Sequence, residues 1–91
     1  MKNHEFNRVG AYCVYDRKGN IYNNPYFLSN DMVAIRQLDM MVKNPETMIS
    51  KYPEDYVLYK VGLFDLLTGE LLPLKKEMIM EANNLIKKGG K

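Results

Sequence analysis

The segment Tyr56-Val57-Leu58-Tyr59-Lys60-Val61-Gly62-Leu63-Phe64 constrains the fold most. It is rich in β-branched and aromatic residues, which suit a pleated, half-buried surface. A Pro-Glu-Asp turn precedes it at Pro53–Asp55, and Asp65-Leu66-Leu67-Thr68-Gly69-Glu70 follows it. The second of these reads as a hairpin turn, with Gly69 at the position needing unusual dihedrals. A long strand that turns back on itself needs a sheet, and a sheet needs a covered face. Within the strand, Val57, Tyr59, Val61 and Leu63 share one parity and are expected to face the core. The other parity, Tyr56, Leu58, Lys60, Gly62 and Phe64, is mixed.

The chain has 91 residues, which allows one domain. A chain of this mass buries roughly 64% of its unfolded surface, so its core is modest and dimerisation would help it. Residues 1–8 are polar and without period, and are expected to form an arm. The domain is expected over 9–88, with a tail at 89–91. Val9 to Tyr15 reads as a strand whose apolar residues occur at both parities, which fits cover on both faces. Ile21-Tyr22 and Tyr26-Phe27-Leu28 flank Asn23-Asn24-Pro25, so the second strand is an edge or is broken there.

Ser29-Asn30-Asp31 has the form of a helix start. Ala34, Ile35, Leu38, Met41 and Val42 then form one apolar stripe at helical period, and Asn44-Pro45 stops it. Residues 46–55 read as a loop. Leu71-Leu72 is expected to return as a short strand before Pro73. A second helix is expected from Leu74 to Lys88, with Met78, Ala82, Leu85 and Ile86 on its stripe and Gly89-Gly90 ending it. The order gives a small α+β domain: a three- to four-stranded, mostly antiparallel sheet with two helices.

Composition narrows the chemistry. There is one histidine, His4, and one cysteine, Cys13, too few for a zinc site of the usual kind. Nucleophilic triads have only His4 to draw on. A tyrosine nucleophile for DNA strand transfer would lack its usual histidine partners. Turn carboxylates Glu54, Asp55, Asp65 and Glu70 offer a divalent-metal nuclease reading built on Asp55 and Asp65. Such residues more often bind nearby backbone N–H groups. No enzyme activity, metal or cofactor is expected. A single cysteine suits a reducing cytoplasm. No secretory signal or membrane-spanning run is visible.

Charge is uneven. Residues 1–20 carry net +2, 21–50 net −1, 51–70 net −2 and 71–91 net +3. Solvated ends explain this blandly, and phosphate contact is the sharper reading. Seven tyrosines and no tryptophan stand out: Tyr12, Tyr15, Tyr22, Tyr26, Tyr52, Tyr56 and Tyr59. Several adjoin Lys or Arg. Rings that stack on bases, with cations along the backbone, make a sequence-tolerant single-strand binder. A tyrosine taken singly is more often a half-buried packing residue.

The motifs Tyr12-Cys13-Val14-Tyr15-Asp16, Pro25-Tyr26-Phe27, Ala34-Ile35-Arg36, the run Tyr52 to Asp65, and Thr68-Gly69 lie in order over residues 12–72. In this they resemble the small non-structural protein of gokushoviruses, the single-stranded DNA phages of the Microviridae. The arm Met1–Ala11 and the Leu66-Leu67 turn depart from that pattern. The resemblance implies a phage protein in the cytoplasm of the infected bacterium and outside the virion. It implies a role in binding single-stranded DNA during the switch to single-strand synthesis, or in packaging. The expected protein is non-enzymatic and homodimeric, with Tyr12, Tyr15 and Tyr56 stacking on bases. Arg8, Arg17, Lys18 and Lys60 would meet phosphates. The other reading is an interaction module without DNA affinity. It would bind the phage replication initiator or a host replication protein through the Met32/Met40 helix face or a strand edge.

Overall fold

The computed structural model describes residues 7–86. The expected tail at 89–91 and residues 1–6 of the expected arm lie outside them. Within it, β1 (Arg8–Asp16), β2 (Ile21–Tyr22), β3 (Tyr26–Leu28), β4 (Tyr56–Asp65) and β5 (Leu71–Glu81) form one antiparallel sheet. The order is β2-β1-β4-β5, and β3 also pairs with β1. Helix α1 (Asp31–Lys43) covers one face, and the short α2 (Met48–Lys51) leads through a 3-10 turn into β4. The α+β class and the antiparallel sheet are as the sequence indicates.

β1 is the central strand, and Gly10 to Val14 are buried along it. Proline splits its partner as expected. β2 and β3 are separated by Asn23-Asn24-Pro25, and Asn23 bridges the gap. The Val14 N–H donates to Asn23 Oδ1 at 2.8 Å, and the Asn23 N–H donates to the Val14 carbonyl at 2.9 Å. α1 begins where its cap residue falls: the Asn30 side chain accepts from the Val33 N–H. Ala34, Leu38 and Val42 are its buried residues. They pack with Tyr12, Val14, Leu58 and Ala82 into the main core.

Three expectations are corrected. The helix expected over 74–88 is absent: residues 71–81 form β5 and residues 82–85 a 3-10 turn, while 87 and 88 lie outside the described residues. Leu74, Lys75, Lys76, Glu77 and Met78 are good helix formers, but propensity is a weak prior beside tertiary pairing. The turn at Gly69 (φ 77°) brings β5 to the free edge of β4, where Met78 and Glu77 pair with Tyr59 and Lys60, while residues 74–76 bulge between those pairs and the Gly62–Pro73 pair. Pro73 fits because β5 is the outer strand. The second helix is instead α2, within the expected loop 46–55. Four residues are too few for a period, and Thr47 caps them.

The third correction is the facing of β4. Tyr12 pairs with Lys60 and Ala11 with Gly62, so Val61 is an extra residue. A bulge of this kind reverses which parity faces the core. Before it, Leu58 and Tyr56 pack under α1, and Val57 and Tyr59 lie on the opposite face. After it, Phe64 joins that opposite face and touches Phe27. Single-parity reading holds on neither side of the strand.

Candidate nucleic-acid interface

Among the described residues, no helix covers the second face of the sheet. At one end of this face, Tyr15 from β1, Tyr22 from β2 and Tyr59 from β4 form a cluster. Ring centroids are 4.5 Å apart for Tyr15–Tyr22, 6.0 Å for Tyr22–Tyr59 and 6.3 Å for Tyr15–Tyr59. The rings are tilted to one another, an arrangement their quadrupoles favour. All three are half-buried.

The β1–β2 turn builds this cluster. Asp16 Oδ1 accepts from the Lys18 and Gly19 N–H groups, both at 3.0 Å. Asn20 takes a left-handed φ of 57° and accepts from the Tyr15 hydroxyl at 2.9 Å. The register Tyr15↔Tyr22 then sets two rings side by side. β5 adds Lys76, whose Nζ donates to the Tyr22 hydroxyl at 2.5 Å. That nitrogen lies 5.2 Å from the Tyr22 centroid and 5.0 Å from that of Tyr59. The hydrogen bond to Tyr22 raises its pKa above the ordinary lysine value.

Arg17 sits at the rim of the same end. Its Nη1 donates to the Glu54 carbonyl at 2.8 Å, and its Nη2 lies 3.4 Å from Glu81 Oε2. Lys18 is exposed in the turn. Tyr15 and Arg17, both expected from sequence, are thus at this end, while Lys18 lines the hollow beside Tyr56 with Asp16, Glu54 and Asp55.

The other four are placed elsewhere. Tyr12 is fully buried under α1, and its hydroxyl donates to Asp31 Oδ1 at 2.6 Å. Burial and that carboxylate push its pKa well above the ordinary value. Its ring is packing material, which corrects its reading as a base-stacking residue. Tyr56 packs against the core from the helix side. Asp16, Glu54 and Asp55 surround its hollow, a poor setting for phosphate. Burial first, then Asp16 and Asp55, raise its pKa. Lys60 also lies on the helix side, 3.8 Å from Asp31 and over the Tyr12 ring. Arg8 pairs with Asp65 at 3.6 Å.

Tyr22, Tyr59 and Lys76 were not singled out by sequence reasoning. The tyrosines were visible as composition, and Lys76 was hidden by its assignment to a helix. The carboxylate Asp65 is buried and serves the hairpin turn. Its Oδ1 accepts from the Leu67 and Thr68 N–H groups at 2.9 and 3.1 Å. Burial pushes the Cys13 thiol up, away from a reactive thiolate. Among the described residues, no group of three or more His, Cys, Asp or Glu could hold a metal ion. Among them also, no helix is long and apolar enough to cross a membrane.

The other end of the helix-free face is apolar. Phe27 and Phe64 meet at 5.6 Å between centroids. Around them lie Val9, Ala11, Val61, Leu66, Leu71 and Pro73, lining two hollows of about 350 and 380 Å³. The face therefore divides along β1: an aromatic and basic end, and an uncharged end.

These features define a small α+β sheet protein that presents an aromatic, basic surface on an uncovered sheet face. Residues 9–85 match the family model described as phage ORF5 protein, and the chain belongs to that family. No curated protein and no solved structure matches it.

Proposed function

We propose that this phage protein is a non-enzymatic single-stranded DNA-binding accessory factor. In this reading it acts in the cytoplasm of the infected bacterium, in the switch to single-strand synthesis or in packaging, as the resemblance to the gokushovirus non-structural protein implies. The observation that carries the reading is the Tyr15–Tyr22–Tyr59 cluster with Lys76 set against two of its rings. Unpaired bases have free faces to stack on such rings, and Lys76 and Arg17 stand beside them to meet a backbone. Paired bases hide those faces, so duplex DNA is the poorer ligand.

The test is anisotropy of a fluorescent oligonucleotide of about 15 nucleotides. Log K should fall linearly with log salt, by about 0.7 per phosphate contacted, or about 1.4 for two cations. Lys76→Ala should flatten the slope by about one contact. Tyr59→Ala should cost about 1–3 kcal/mol of binding and Tyr59→Phe little, because the ring remains. Absence of affinity at low salt in folded protein defeats the reading. It would turn the assignment to an interaction module for a phage or host replication protein. The exposed Met32 and Met40 on α1 favour that second reading.

A further inference from the structure

We propose that Lys76 makes stacking on the tyrosine cluster conditional on a charged backbone, so that the site takes a phosphodiester-linked strand and turns away uncharged aromatic ligands. The inference rests on the reading of this end as a single-strand site and names the residue that selects its ligand. Tyr22 and Lys76 come from opposite ends of the strand order β2-β1-β4-β5, about 14 Å apart by the usual strand spacing. They meet because the Lys76 side chain reaches over Tyr59 to the Tyr22 hydroxyl. Its Nζ lies over both rings, 5.2 Å from the Tyr22 centroid and 5.0 Å from that of Tyr59. The ammonium therefore takes up ring surface that a base would need, and a base must move it aside to stack there.

What holds Lys76 decides what can move it. Its partners are a neutral hydroxyl and two ring faces. Among the described residues, no carboxylate pairs with it, whereas Arg17 lies 3.4 Å from Glu81. A cation–π contact at an exposed site is weak, and a hydrogen bond to an anion is roughly twice as strong as one between neutral groups. A phosphate next to the cluster offers Lys76 that stronger partner and draws it off the rings as the base arrives. An uncharged ligand offers no such partner and must displace the ammonium unaided. The same lysine thus opposes stacking by a neutral ligand and assists it for a charged strand.

Two fluorescent oligonucleotides of the same sequence test this with the full chain at low salt, one with the natural backbone and one with an uncharged methylphosphonate backbone. Wild type should bind the natural strand well and the neutral strand weakly. Lys76→Ala should bind the natural strand less tightly yet gain about two- to fivefold for the neutral one, the strength of an exposed cation–π contact. A lysine that only contacts phosphate predicts no such gain. Lys75→Ala, at the neighbouring exposed lysine, should leave affinity for the neutral strand as in wild type. Circular dichroism should show both variants folded, since both side chains are exposed. Wild type that binds neither strand defeats the single-strand reading and this inference with it. Wild type that binds the natural strand, with no gain for the neutral strand in Lys76→Ala, overturns the inference alone. An equal gain in Lys75→Ala overturns it as well.

Discussion

Tyr12 shows how one side chain can be read two ways. Its neighbours in sequence suggest a surface ring, and its neighbours in space make it the floor of the core. Gly10 makes room for it: a Cβ there would lie 2.6 Å from Tyr12 Cε2. Gly10→Ala is therefore expected to cost about 1–3 kcal/mol by overpacking. Urea unfolding checks this, and an unmoved midpoint would contradict it. Tyr12 also ties stability to alkaline pH. Its folded pKa is raised, so above about pH 10 the unfolded chain releases a proton that the folded one keeps. Stability is then full below about pH 10 and falls as pH rises beyond it. Tyr56 acts in the same direction. Unfolding free energies of Tyr12→Phe measured across that range should fall less steeply than the wild type's, although the variant starts lower for want of the Asp31 hydrogen bond. Parallel slopes would remove Tyr12 as the cause.

The long hairpin of β4 and β5 holds the principal lesson about elements. Residues 74–78 favour a helix locally, and the β4 edge, pairing with Pro73 on one side and with Glu77 and Met78 on the other, draws them into a strand. Backbone chemical shifts of residues 74–80 should be those of extended chain, and helical values would contradict the pairing. The turn that directs this pairing hangs on Asp65. Asp65→Ala leaves the Leu67 and Thr68 N–H groups without their acceptor and should cost about 1–3 kcal/mol. An unfolding curve that superimposes on the wild type would contradict it. α1 was legible throughout, because cap, stripe and stop all lie within its own segment. β1 and the Asp65–Glu70 turn were legible for the same reason. The bulge at Val61 was not, since nothing local marks it. It decides which residues of β4 reach each face.

The helix-free face belongs to the assembled sheet and to no single segment. Tyr15 and Arg17 could be read from sequence because they adjoin one turn. Tyr22 and Lys76 stand 54 positions apart, and register alone brings them together. Lys76 and Arg17 thereby fall at one end of the face and the uncharged residues at the other. The ligand proposed for the first end is single-stranded DNA, and tyrosine ring NMR signals report directly on the face it uses. On titration with a single-stranded oligonucleotide, the ring signals of Tyr15, Tyr22 and Tyr59 should shift while that of Tyr12 stays in place. Shifts confined to Tyr12, Tyr56 and Lys60 would move the DNA to the helix side and contradict the account.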